Sequence, residues 1–231
     1  MVQPRKTVSR ERIVYSEEDW QRFKKFREDA KKVLKALQDF NLRGLAHGSI
    51  ARGDLKKNSD IDIIIPETVP SYRVELALQE GGNEEFGGKI VMATPWQLPK
   101  AHISISSNVT VTFPLEKPKE VEEEFYQFGG AVSLKQVEKK ERVPGVDKRL
   151  VLIEPTKNGH KESQVIGKEG EVAKQLDVSI DIVQERIDVL TRRNQIGRTG
   201  IFLEREVPPD ESFESMWKKV RERNPKITRE Y

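Results

Sequence analysis

The alternation of apolar and polar positions divides the chain into short elements. From Ser16 to about Phe40, Trp20, Phe23, Phe26, Ala30, Val33, Leu34 and Leu37 recur at steps of three and four. That spacing lines one face of an amphipathic helix, and it reads as core packing. Ser16 can cap its first turn, while Glu17, Glu18 and Asp19 suit the positive end of the helix dipole. Leu42 to His47 is a short run containing apolar residues that ends at Gly48-Ser49. A polar loop, ARGDLKKNS, leads to the alternating Asp60-Ile61-Asp62 and then Ile63-Ile64-Ile65, stopped by Pro66. Ser71 to Gln79 predicts a short helix closed by Gly81-Gly82. Lys89 to Thr94 and His102 to Pro114 predict strands, the second bent into a hairpin at Ser107-Asn108. Glu116 to Phe128 is acidic and helical. Ala131 to Val137 and Arg149 to Ile153 predict further strands, on either side of the kink Val143-Pro144-Gly145.

Pro155 to His160, with Asn158-Gly159, reads as a linker. Beyond it the pattern gives a helix from Glu169 to Leu176, a tight turn at Asp177-Val178-Ser179, and a second helix from Ile180 to Arg193. Asn194 to Glu204 has the pattern of a β-hairpin around Gly197 to Gly200. Pro208-Pro209 breaks it, and Ser212 to Arg223 forms a final charged helix carrying Phe213, Met216, Trp217 and Val220. Two domains are expected, residues 1–154 and 155–231.

Composition narrows the chemistry. The 231 residues contain no cysteine, which excludes disulfides, thiolate metal sites and a cysteine nucleophile. The three histidines, at 47, 102 and 160, are too scattered to make a zinc cluster by themselves. No apolar run approaches the ~18 residues of a membrane span. The stretch MVQPRKTVSRER lacks the apolar core of a signal peptide, so a soluble, cytoplasmic protein with no membrane partner is expected. Charged residues are abundant at 34%, but 41 basic against 38 acidic side chains leave a net charge of only +3. That balance does not announce a nucleic-acid binder.

The strongest chemical signal is GSIARGDLKKNSDIDI, residues 48–63. Gly48 and Ser49 follow a strand and open a helix, where backbone can approach a phosphate closely and the Ser hydroxyl and free amides can hold triphosphate oxygens. Asp60 and Asp62 lie two apart on a strand, so both carboxylates project from one face. Asp62 also sits between Ile61 and Ile63, where an unpaired buried carboxylate would be costly. Such a pair can bridge divalent metals, and Mg²⁺ is usually held by one or two carboxylates plus substrate phosphates.

Gly-Ser, a loop with Ala-Arg-Gly, then Ser-Asp-Ile-Asp followed by apolar residues resembles the DNA polymerase β superfamily of nucleotidyltransferases, most closely its minimal prokaryotic members. The resemblance implies an α/β (α+β) fold with a mixed sheet. It also implies a metal-dependent enzyme that moves a nucleoside monophosphate from an NTP to an acceptor hydroxyl and releases pyrophosphate. On it, Asp60 and Asp62 would be catalytic and would hold two Mg²⁺; Gly48, Ser49 and Arg52 would bind the nucleotide. The family usually adds a third carboxylate from a later strand. Here the positions best placed for it hold Thr110 or Thr112, and the nearest acids are Glu85, Glu116 and, far downstream, Asp147. The alternative is therefore a weak or inactive nucleotidyltransferase fold that serves as a nucleic-acid-binding regulator or scaffold.

Glu171-Val172-Ala173, Leu176, Val178-Ser179, Val183, Arg186-Ile187 and Leu190 resemble a winged helix-turn-helix, with Asn194 to Glu204 as the wing. Gln184 on the second helix, with Arg192, Arg193 and Arg198 at its end and on the wing, would then meet DNA or RNA. Asp181, Glu185 and Asp188 on the same helix repel phosphates, and residues 167–205 hold seven basic and seven acidic side chains. Packing on the catalytic domain, or on itself in a homodimer, is the other use of this module.

Overall fold

The computed structural model describes residues 11–83, 87–197 and 200–228. These form strands β1 (Glu11–Val14), β2 (Leu45–His47), β3 (Ile61–Ile64), β4 (Gly87–Met92), β5 (Lys100–Ser106), β6 (Val109–Pro114), β7 (Ala131–Ser133), β8 (Gly145–Val146), β9 (Val151–Thr156), β10 (Gly159–Gln164) and β11 (Leu203–Val207). The helices are α1 (Glu17–Asp39), α2 (Ser49–Arg52), α3 (Ser71–Glu80), α4 (Glu120–Gly129), α5 (Leu134–Glu138), α6 (Glu169–Leu176), α7 (Ile180–Ile196) and α8 (Phe213–Arg223). None is long and apolar enough to cross a membrane among the described residues.

The chain divides into two compact units, each assembled from separated stretches. The first takes residues 1–28, 46–59 and 119–199; the second takes 29–45, 60–118 and 200–231. Each unit takes residues from both sides of the expected boundary at 154/155.

The second unit holds a mixed sheet ordered β11-β4-β5-β6-β3. β3 runs parallel to β6, while the β4–β5, β5–β6 and β11–β4 pairs are antiparallel. Alternation gives the sheet two unlike faces. Ile61, Ile63, Ile90, Met92, Ala101, Ile103, Val111 and Phe113 are fully buried on one side, where Phe113 meets Phe213 of α8 edge-on at 5.7 Å. The other side is polar and carries the candidate chemistry. Segment 194–204 does not make the expected wing. α7 continues to Ile196, and β11 pairs with β4 instead.

The first unit contains a second sheet, β1-β10-β9-β8. The stretch read as a linker, Pro155 to His160, is the turn of the β9–β10 hairpin, with Gly159 opposite Thr156. Ala131 to Val137, expected as one strand, splits into β7 and the short helix α5, with Ser133 and Gln136 forming its capping box. α6 and α7 form as the sequence indicates, separated by Asp177 in the left-handed region (φ 53°). They bury Val172, Leu176, Ile182, Val183 and Ile187 in one cluster with Phe128, Leu150 and Leu152.

Candidate active site

The two halves of the Gly48–Ile63 motif fall in different units. In the second, β3 begins at Ile61, whose amide donates to the Asn108 carbonyl at 2.8 Å. Ile61 and Ile63 are buried, so the two-residue period turns Asp60 and Asp62 to the polar face, where both are exposed. This corrects the expectation of a carboxylate buried between isoleucines: the neighbours point to the opposite side. The parallel register sets Asp62 beside Thr110, and Thr110 stands opposite Ser104 on β5. One step along, Thr112 is opposite His102, and their side chains pair at 3.0 Å. Burial, then Lys100 and Lys89, lower the His102 pKa to about 4, which keeps the imidazole neutral at neutral pH.

No acid replaces the third carboxylate on these strands. Thr110 and Thr112 hold the positions on β6 that share the face of Asp62. Glu116 accepts from the Trp217 indole at 2.9 Å and from Arg221 at 3.3 Å. Asp147, in the first unit, binds Arg149 and the Val151 amide. Glu85 lies outside the described residues. Among the described residues no three His, Asp or Glu side chains gather as a metal cage. The hard oxygens of Asp60 and Asp62 fit the other mode, in which one or two carboxylates share Mg²⁺ with substrate phosphates.

In the first unit, Gly48 follows the last residue of β2, His47, and adopts φ 80° and ψ −135°. An L side chain rarely takes that backbone, and no heavy atom of the described residues lies within 4 Å of where a Cβ would stand. The backbone at Gly48 is thus open to close approach. Its own amide is held by the Gly130 carbonyl at 2.8 Å, while the Ala51 and Arg52 amides return to the Gly48 carbonyl. The helix opened by Ser49 is a single turn, Ser49 to Arg52, ended by Gly53 at φ 99°.

Arg52 was expected to reach a phosphate. Here it is buried, makes a two-pronged pair with Asp54 (3.0 Å to each oxygen), and donates to the Gly129 carbonyl at 2.6 Å. Its donors therefore hold the turn in place. Arg27 holds the same turn. Its Nε donates to the Ile50 carbonyl (2.8 Å), and its Nη2 donates to the carbonyls of Ala51 (3.2 Å) and Glu141 (2.8 Å). The sequence held a signal for it: position 27 falls on the apolar stripe of α1, four after Phe23 and three before Ala30.

The other candidates lie apart from this chemistry. Gln184 on α7 is exposed and donates to Asp188 at 3.1 Å. Arg192 and Arg193 are exposed near the end of α7. Arg198 lies outside the described residues.

The family model of the nucleotidyltransferase domain matches residues 23–196, well over half of the chain. The protein belongs to the nucleotidyltransferase domain family. A nucleoside triphosphate is the substrate that membership implies. No curated protein and no solved structure matches the chain.

Proposed function

We propose that the protein is a metal-dependent nucleotidyltransferase that passes a nucleoside monophosphate from an NTP to an acceptor hydroxyl. The observation that carries the proposal is the exposed pair Asp60, just before β3, and Asp62 on it, the latter in register with Thr110 of β6. In this reading the two carboxylates hold Mg²⁺ together with the triphosphate. When bound, Mg²⁺ would neutralise charge on the attacking and leaving oxygens. Gly48 lets backbone approach the triphosphate, and the Ser49 hydroxyl donates to one of its oxygens. Because α2 is a single turn, its dipole adds little, and close approach carries the binding. Arg52 and Asp54 keep that turn in shape. The acceptor oxygen attacks the α-phosphorus, the bond to the bridging oxygen breaks, and pyrophosphate leaves. With Thr110 where an acid usually stands, the acceptor's proton passes to solvent.

That same threonine favours a second reading, in which the fold binds nucleotide without turning it over and acts as a regulator on nucleic acid. The two are separated by incubating the full chain with each labelled NTP and Mg²⁺ and assaying pyrophosphate. Release by the wild type, abolished in Asp60→Asn/Asp62→Asn at unchanged thermal stability, is the outcome expected of the enzyme. Mg²⁺-dependent NTP affinity that survives the double substitution would sink the assignment of both carboxylates.

A further inference from the structure

Arg27 is buried, with only 5% of its surface exposed, yet it has no acid to pair with among the described residues. Phe23 covers the guanidinium at 4.8 Å, and the charge that acts on it is that of another cation, Arg142. Its three hydrogen bonds all go to backbone carbonyls, and Nη1 is buried without a partner. Burial and Arg142 lower its pKa to about 10, which leaves it charged at neutral pH. A buried cation without a counter-ion is costly and calls for an explanation.

Two of the three acceptors, the carbonyls of Ile50 and Ala51, belong to the one-turn helix that Ser49 opens after Gly48. The third, Glu141, is remote in sequence, so the planar fork ties the turn to the loop after α5. We infer that Arg27 is a positioning residue for triphosphate: it fixes the Gly48–Arg52 turn through its carbonyls and gives it a positive charge that the bound anion balances. This rests on the proposal that the Gly48-Ser49 turn binds triphosphate. Lysine cannot reproduce the effect, because an ammonium lacks the flat, divergent donors that reach three carbonyls at once.

The test is the affinity of the full-length protein for inorganic tripolyphosphate, by calorimetry at two salt concentrations, for wild type, Arg27→Gln and Arg27→Lys. Thermal unfolding is followed alongside. Arg27→Gln should bind tripolyphosphate at least about tenfold more weakly, the scale of one charge-assisted hydrogen bond. Arg27→Lys should retain the wild-type salt dependence yet recover only part of the affinity. A folded Arg27→Gln with wild-type affinity overturns the inference. So does full rescue by lysine, which would reduce the role to charge alone. Should Arg27→Gln fail to fold, the comparison of Arg27→Lys with wild type decides the matter. Wild-type protein that binds no tripolyphosphate overturns instead the assignment of the Gly48-Ser49 turn on which the inference stands.

Discussion

At the residue scale, the aspartate pair was legible because a strand's two-residue period is local and needs no partner to be read. The exposure of Asp62 follows from the same period that buries Ile61 and Ile63. What the sequence could not supply was the neighbour across the ladder, since Thr110 meets Asp62 only through the parallel β3–β6 register. Arg27 escaped for a similar reason: its acceptors Ile50 and Glu141 lie far along the chain. His102 stands in the sequence as one of three scattered histidines, yet it yields a prediction. Its pKa falls from 6.5 in the unfolded chain to about 4 when folded. Between those values the unfolded chain binds a proton that the folded chain refuses, so stability is full above pH 6.5 and declines as pH falls toward 4. After allowance for partial exposure, the loss through this group is about 2 kcal/mol. Urea titrations at pH 7 and pH 4.5 should therefore show a smaller acid-induced loss in His102→Gln than in wild type. Equal losses would mean that the Thr112-paired imidazole is open enough to protonate freely.

Elements whose buried face is apolar were legible, and those whose buried face is polar were not. β10 is the clearest case: its inward positions are His160 and Glu162, which look like a surface pattern. The Tyr15 hydroxyl pairs with the His160 Nδ1 at 2.7 Å, and Arg149 pairs with Glu162. Those partnerships, distant in sequence, turn an apparent linker into a strand. The helix pair α6–α7 is legible as a pair, but its packing differs from that of a separate module. Leu176 is 5% exposed and shares its cluster with Phe128, Leu150 and Leu152, and Gln127 of α4 donates to the Leu176 carbonyl at 3.0 Å. Leu176→Ala should then cost about 3 kcal/mol, the usual range for a leucine truncated in a core. Native-state hydrogen exchange should find the amides of α4, β9 and β10 opening together with those of α6 and α7. Faster exchange confined to α6 and α7 would restore the pair as an independent domain.

At the scale of the whole molecule, what a sequence can say about units has a physical limit. Composition shifts and turn signals can only mark boundaries along the chain, whereas both units here are made from separated stretches. Charge is the other global property, and it constrains the regulator reading. With a net charge of +3 and acidic Asp181, Glu185 and Asp188 along α7, the cations that cluster in this stretch of sequence are Arg192, Arg193 and Arg198. Any duplex binding should be phosphate-dominated and nearly indifferent to sequence, so Gln184→Ala should change it little. Replacing Arg192, Arg193 and Arg198 together should weaken binding to all duplexes alike and flatten the log–log salt dependence by about 0.9 for each phosphate no longer neutralised. Fluorescence anisotropy with two unrelated duplexes across a salt series measures both quantities. Strong preference for one duplex would mean base reading by side chains outside this set. If the wild-type protein shows no salt-sensitive binding to DNA or RNA even at low ionic strength, the regulator reading falls and the helix pair is a packing element of its unit.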